Sequence, residues 1–191
     1  LSPAAATCSW RKLFGLLLLL PAALTFQESR AAEPAWSPEI VRALDASGTN
    51  RTALVQALTD VPPAQRPALE FLIQYMPKPD LETLSAAFLL ENVALATESF
   101  EKSPWRDQVP REVFLNDVLP YASVTERRDA WRKPLREIAA PLIEGCKTPG
   151  EAAQRINAKI FGIVKVKYST GRKRADQSPM DSMESGIATC T

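Results

Sequence analysis

Apolar positions recur every three or four residues along most of the chain, the period of helices that each bury one face. Between Ala35 and about Met76 this pattern predicts three short helices. Ser37-Pro38-Glu39 starts the first, with a capping residue followed by proline at the first helical position, and Ile40, Val41 and Leu44 form its inward stripe. Thr49 or Asn50 caps the second, which turns Leu54, Val55 and Leu58 inward and stops at Pro62-Pro63. The third carries Leu69, Leu72, Ile73 and Met76 and ends before Pro77 and Pro79. No residue-level repetition links them, so a solenoid is set aside.

The longest helical signal spans 80–101, with Asp80 as its cap and Leu81, Leu84, Phe88, Leu89, Val93 and Phe100 among its apolar positions. Glu91-Asn92 interrupts it. A polar pair on the solvent edge is the plain reading, and a buried carboxylate marking a site is the alternative. Ser103-Pro104-Trp105 ends this element, and a short helix over 110–119 follows with Val113, Phe114 and Val118 apolar, stopping at Pro120-Tyr121. Over 129–145, Trp131, Leu135, Ile138 and Leu142 share one helical face, which Pro134 and Pro141 disturb. Thr148-Pro149-Gly150-Glu151 has the pattern of a capping box, opening a helix with Ala152, Ile156 and Ile160 inward and Gly162 as its stop.

The period then changes. Strict alternation over 164–168 predicts a half-buried strand with Lys165 and Lys167 on its wet face. These lysines join Arg172, Lys173 and Arg174 in a basic cluster, which is either a solvated strand face and turn or a patch for an acidic ligand. Ser178-Pro179-Met180-Asp181 reads as another capped helical turn, Gly186 breaks it, and Ile187-Ala188-Thr189 leads to Cys190.

Composition narrows the classes. With 191 residues, 46% hydrophobic and 24% charged, the chain has the balance of a globular protein rather than a disordered or collagen-like one. Sixteen prolines against seven glycines favour helices over a hairpin-rich sheet. A net charge of +1 gives no reason to expect nucleic acid as a partner. The chain has no histidine, which excludes any Cys-His or Ser-His pair and any His-containing zinc site within these residues. No cofactor or metal is implied.

Arg11 and Lys12 precede an apolar run that includes 16–20, and Ser29-Arg30-Ala31 supplies the small residues of a cleavage site, so 1–31 reads as a signal peptide. An uncleaved membrane anchor is the rival, although 13–26 is short of the roughly 20 residues a span needs and contains Gly15 and Pro21. The expected location is therefore outside the cytoplasm: periplasmic, cell-surface or secreted. A start at Leu1 and a stop one residue after Cys190 suggest a fragment. Beyond the signal segment two cysteines remain, Cys146 and Cys190, which either pair in a disulfide or leave a reactive thiol.

A helix beginning at Cys190 would place its thiol at the positive end of a helix dipole, where the thiolate is favoured and can attack an amide carbonyl. Residues 131–191, and less clearly the stretch from about Tyr75, resemble exported bacterial members of the transglutaminase-like superfamily, relatives of papain-type cysteine enzymes. The likeness rests on Trp131-Arg132, Glu151-Ala152-Ala153, Ile156-Asn157, Ile160-Phe161, Val166-Lys167-Tyr168-Ser169, Gln177-Ser178-Pro179 and above all Gly186-Ile187-Ala188-Thr189-Cys190-Thr191. It implies that Cys190 is the catalytic nucleophile, and that a histidine and an aspartate come from later strands of the same domain. Neither has a counterpart here, so the chain alone is expected to be inactive. Eukaryotic transglutaminases carry tryptophan at the position of Thr191, and its absence favours hydrolysis of peptide or amide bonds over cross-linking.

The expected architecture is mostly α: a signal peptide (1–31), a helical N-terminal region (33–145) and the opening of an α+β transglutaminase-like domain (148–191). The implied partner is a peptide or protein substrate, and a membrane is met only through the signal segment if uncleaved. The alternative function is a noncatalytic transglutaminase-like module for binding or assembly at the cell surface. Because the later strands of the family's sheet would lie beyond Thr191, the strand at 164–168 is expected to lack a partner.

Overall fold

In the computed structural model, which describes residues 36–189, the helical periods become nine α-helices and one two-stranded sheet among the described residues. The protein is thus mostly α. The segment 1–31, expected to be a signal peptide, and Cys190 lie outside the described residues.

Helices α1 (Pro38–Ala46), α2 (Arg51–Asp60), α3 (Arg66–Tyr75), α4 (Lys78–Thr83) and α5 (Ala86–Lys102) surround one apolar core. Ser37 Oγ accepts from the Ile40 amide at 3.3 Å, satisfying a donor that the first turn leaves free. Ile40, Leu44, Leu54, Leu58, Leu69, Ile73, Leu89 and Val93 are essentially withdrawn from water, and each contributes roughly 1.5–3 kcal/mol of apolar transfer. Val41 does not join them, being 38% exposed, because Ile40, Ala43 and Leu44 already fill the inward stripe. Val55 packs only at the edge of the core. Asn50 occupies the N-cap position of α2, with helical backbone angles, but its side chain makes no capping bond there. Its Nδ2 instead donates to the carbonyls of Leu81 and Leu84, both at 2.9 Å, satisfying the C-terminal end of α4.

The long helix expected over 80–101 is two helices. The chain breaks at Leu84, and Ser85, in extended conformation, caps α5 by accepting from the Phe88 amide at 3.2 Å. Leu81, Leu84 and Phe88 keep the helical period across this break, which hid it in the sequence. Asp80 is consequently not a cap but a buried residue in the first turn of α4. The polar pair divides: Glu91 faces solvent and Asn92 is buried.

After the turn at 103–109, α6 (Arg111–Val113) widens into a π-helical turn, Phe114–Val118, in which the Leu119 amide bonds the Phe114 carbonyl at 2.8 Å. Phe114, Leu119 and Tyr121 close the core, while Val113 is 40% exposed. Residues 120–131 form an irregular strap leading to α7 (Arg132–Leu142) and α8 (Pro149–Val164). Pro134 is tolerated as the third residue of α7, where an amide would have no helical acceptor. No residue of α7 is fully buried, despite its apolar stripe. Thr148 Oγ1 caps α8 through the Glu151 amide at 3.2 Å, and the Glu151 carboxylate reaches back to the Lys147 amide at 2.8 Å. Gly162 does not end α8. The helix runs to Val164, and Lys165 turns the chain with a positive φ of 55°.

Only the end of the alternating segment is a strand, β1 (Lys167–Tyr168), and it does have a partner: β2 (Ile187–Ala188) runs parallel to it, pairing Lys167 with Ile187 and Tyr168 with Ala188. Val166 is buried between exposed Lys165 and Lys167, as the alternation implies, but Tyr168 is 70% exposed. Helix α9 (Pro179–Ser185) fills the crossover and carries the complete capping box at Ser178 and Asp181.

Candidate functional site

Cys190, the residue singled out by its chemistry, lies outside the described residues, but the chain leading to it is described as far as Thr189. Gly186 ends α9 at a φ of 69°, a left-handed angle that a side chain disfavours, and a Cβ there would lie 3.4 Å from the Lys165 carbonyl. The turn delivers Ile187 and Ala188 onto β1, with Lys167 N donating to Gly186 O and Ser169 N to Ala188 O, both at 2.9 Å.

Side chains from the 169–178 loop hold the same segment. Gln177 Nε2 donates to the Ile187 carbonyl at 2.5 Å and to Ser182 Oγ at 3.0 Å. Arg172 Nη1 donates to Thr189 Oγ1 at 3.1 Å. The basic cluster is therefore divided in its tasks: Arg172 braces the residue before Cys190, Arg174 pairs with Asp176 at 3.4 Å, and Lys165, Lys167 and Lys173 face solvent. Beside it a cavity of about 430 Å³ is lined by Lys173, Arg174, Gln177, Asp181, Glu184 and Ser185.

The strap ties this region to the helices. Arg127 donates its amide to the Asp176 carbonyl at 2.8 Å and its Nη2 to Asp181 Oδ1 at 2.6 Å. Asp129 Oδ2 accepts from the Met180 amide at 3.1 Å, in the first turn of α9. The Ser178 amide and hydroxyl, with Arg127 and Arg174 nearby, hold the Asp181 carboxyl below its ordinary range. At the other end, Arg128 Nε and the Tyr121 hydroxyl both donate to Asp80 Oδ2, at 2.9 and 2.8 Å. Burial raises the Tyr121 phenol, and its bond to Asp80 adds to the effect. Trp131 Nε1 donates to the Tyr121 carbonyl at 2.6 Å.

Asp80, Tyr121, Arg128 and the pair Asn92 and Arg132 were not legible as a network.

Cys146 is a free, buried thiol. Among the described residues no group of three or more His, Cys, Asp or Glu side chains is placed to hold a metal ion, and no helix is long and apolar enough to cross a membrane. Compared with protein-family models, curated proteins and solved structures, the chain matches none.

Proposed function

We propose that residues 148–191 open an α+β transglutaminase-like domain of an exported cysteine enzyme that acts on amide bonds of peptides or proteins. Cys190 is its nucleophile. The observation that carries this reading is the seating of the segment just before Cys190: a left-handed glycine, a strand pairing, and bonds from Gln177 and Arg172 together restrain the backbone up to Thr189. A nucleophile gains most when its approach is preorganised. In the reaction the Cys190 thiolate adds to the substrate carbonyl carbon, a carbon–sulfur bond forms, and the carbon–nitrogen bond breaks as the amine leaves with a proton. Water then resolves the thioester to a carboxylic acid, or a second amine resolves it to a new amide. The chain holds no histidine to serve as base, and general-base help supplies about 10² to 10⁴ in rate. The 191 residues by themselves lack that help, and we expect their rate to fall by about this factor.

The test is iodoacetamide alkylation, at pH 6, of the exported protein carrying the whole proposed domain, resolved by cysteine through mass spectrometry. An ordinary thiol of pKa about 8.5 is almost wholly protonated there, and free cysteine labelled alongside provides that reference. A helix beginning at Cys190 and a histidine from a later strand would both favour its thiolate, so selective labelling of Cys190 over Cys146 is expected. A disulfide between Cys146 and Cys190, or labelling of Cys190 no faster than free cysteine, would overturn the reading in favour of a noncatalytic binding module.

A further inference from the structure

Arg132 is a half-buried cation held only by neutral acceptors. Its Nε donates to Asn92 Oδ1 at 2.9 Å, and its Nη2 to the carbonyls of Leu119 and Pro120 at 3.2 and 2.7 Å. The guanidinium carbon lies 4.7 Å from the centroid of the Trp131 ring. Neighbouring arginines differ: Arg127 pairs with Asp181, Arg128 with Asp80 and Arg136 with Glu98. Arg132 has no such carboxylate among the described residues. Its Nη1 donates no hydrogen bond there and is not sealed from solvent. Burial lowers its pKa to about 10, which leaves it fully charged at neutral pH.

Arg132 also lines a groove of about 840 Å³ between the end of α5, the 103–109 turn and α7. Phe100, Trp105, Val109, Val118, Leu135 and Ile143 give this groove apolar walls. On the α7 side they belong to the helix whose apolar stripe buries no residue completely. A volume of this size falls in the range of small-molecule sites, about 300–1,000 Å³, which combine apolar walls with a few placed polar groups.

We propose that this groove binds an anionic amphiphile of the fatty-acid class, with its aliphatic chain along the apolar walls and its carboxylate on Arg132. A partly desolvated cation without a counter-ion favours an anion, and a guanidinium fork matches a carboxylate. Of the two cations at this apolar groove without a carboxylate partner, Lys147 is exposed and only Arg132 is half-buried, which fits one headgroup on a long chain. An acidic helix would need several free cations, and Lys102 and Arg136 at this groove are already tied to Glu98 at 2.6 and 2.5 Å.

The experiment is calorimetric titration of the full chain with dodecanoate, dodecyltrimethylammonium and dodecyl maltoside, each below its micellar concentration, so that one tail is compared under three headgroups. Saturable one-site binding of dodecanoate, at least tenfold tighter than of the other two, is expected. Arg132→Gln should abolish the preference, and Arg132→Lys should restore part of it. Because Arg132 also braces Leu119 and Pro120, Ala139→Trp provides a second variant that fills the groove without touching that brace, and it should remove dodecanoate binding with the melting temperature kept. Equal affinity for the three headgroups, dodecanoate binding that survives Ala139→Trp, or capture of an acidic amphipathic peptide without any dodecanoate binding would each overturn the proposal.

Discussion

Arg128 and Asp80, 48 residues apart in sequence, meet at 2.9 Å with their side chains only 18% and 9% exposed. The pair fastens the strap to α4, and the Tyr121 hydroxyl shares the same carboxylate oxygen. Asp80→Asn keeps the shape but removes the charge that Arg128 faces. It should cost about 2–4 kcal/mol, a little under the roughly 3–5 kcal/mol for a fully buried pair broken from one side, because Arg128 keeps some solvent. Tyr121→Phe removes one hydrogen bond and should cost about 1 kcal/mol. Urea denaturation of the two variants checks both values, and an Asp80→Asn loss no larger than that of Tyr121→Phe would show that water screens the pair.

Glu98 accepts from Arg136 and Lys102, and these bonds lower its carboxyl from 4.5 to about 2, Arg136 having the larger effect. A carboxyl lowered by folding stabilises the native state above its unfolded value, and that stabilisation is lost as pH falls through the folded value. The melting temperature should therefore drop between about pH 4.5 and pH 2, and Glu98→Gln should flatten that part of the profile. Parallel profiles for the two proteins would show that solvent carries Glu98 in both states.

Gly186→Ala places a methyl group at a φ of 69°, 3.4 Å from a backbone oxygen that has little room to move. The expected cost is about 1–2 kcal/mol. It should fall locally, so hydrogen exchange at the Lys167 and Ser169 amides should speed up while the α1–α5 core keeps its protection. Uniform acceleration across the chain would contradict this placement.

Cys146 is 2% exposed. Native protein should leave it unalkylated at pH 8, and unfolding in urea should release it. Cys146→Ser, which buries a hydroxyl in place of a thiol, should cost about 1–3 kcal/mol in a urea titration.

The mostly helical class and three of the helix starts were legible because they are local. Ser37, Thr148 and Ser178 each act within three residues of themselves, as capping patterns do. The break at Leu84 and Ser85 was hidden because the apolar period continues across it. Asn50 was placed correctly at the start of α2, but the bonds of its side chain were not legible because its acceptors, Leu81 and Leu84, are 31 and 34 residues away. The strap residues Arg127 and Arg128, and Arg132 at the start of α7, were invisible for the same reason: they find their partners across the fold, and nothing in the spacing of charges indicates distance in space. Gly186 and the capped α9 were read correctly, and they are the part of the candidate site whose geometry is set by neighbouring residues. The pairing of β1 with β2 was missed because a two-residue strand leaves no periodic trace.

The π-helical turn at Phe114–Val118 has a consequence for insertions and deletions in this segment. Each residue of a helix advances the chain by about 100° around the axis. A chain one residue shorter here would close an ordinary α-turn and swing the Leu119 carbonyl by that angle, away from both Asn92 and Arg132, which donate to it at 2.9 and 3.2 Å. Point substitutions in the turn change side chains and leave that carbonyl in place. The number of residues between Phe114 and Leu119 is thus as much a determinant of how Arg132 is held as any residue that touches it.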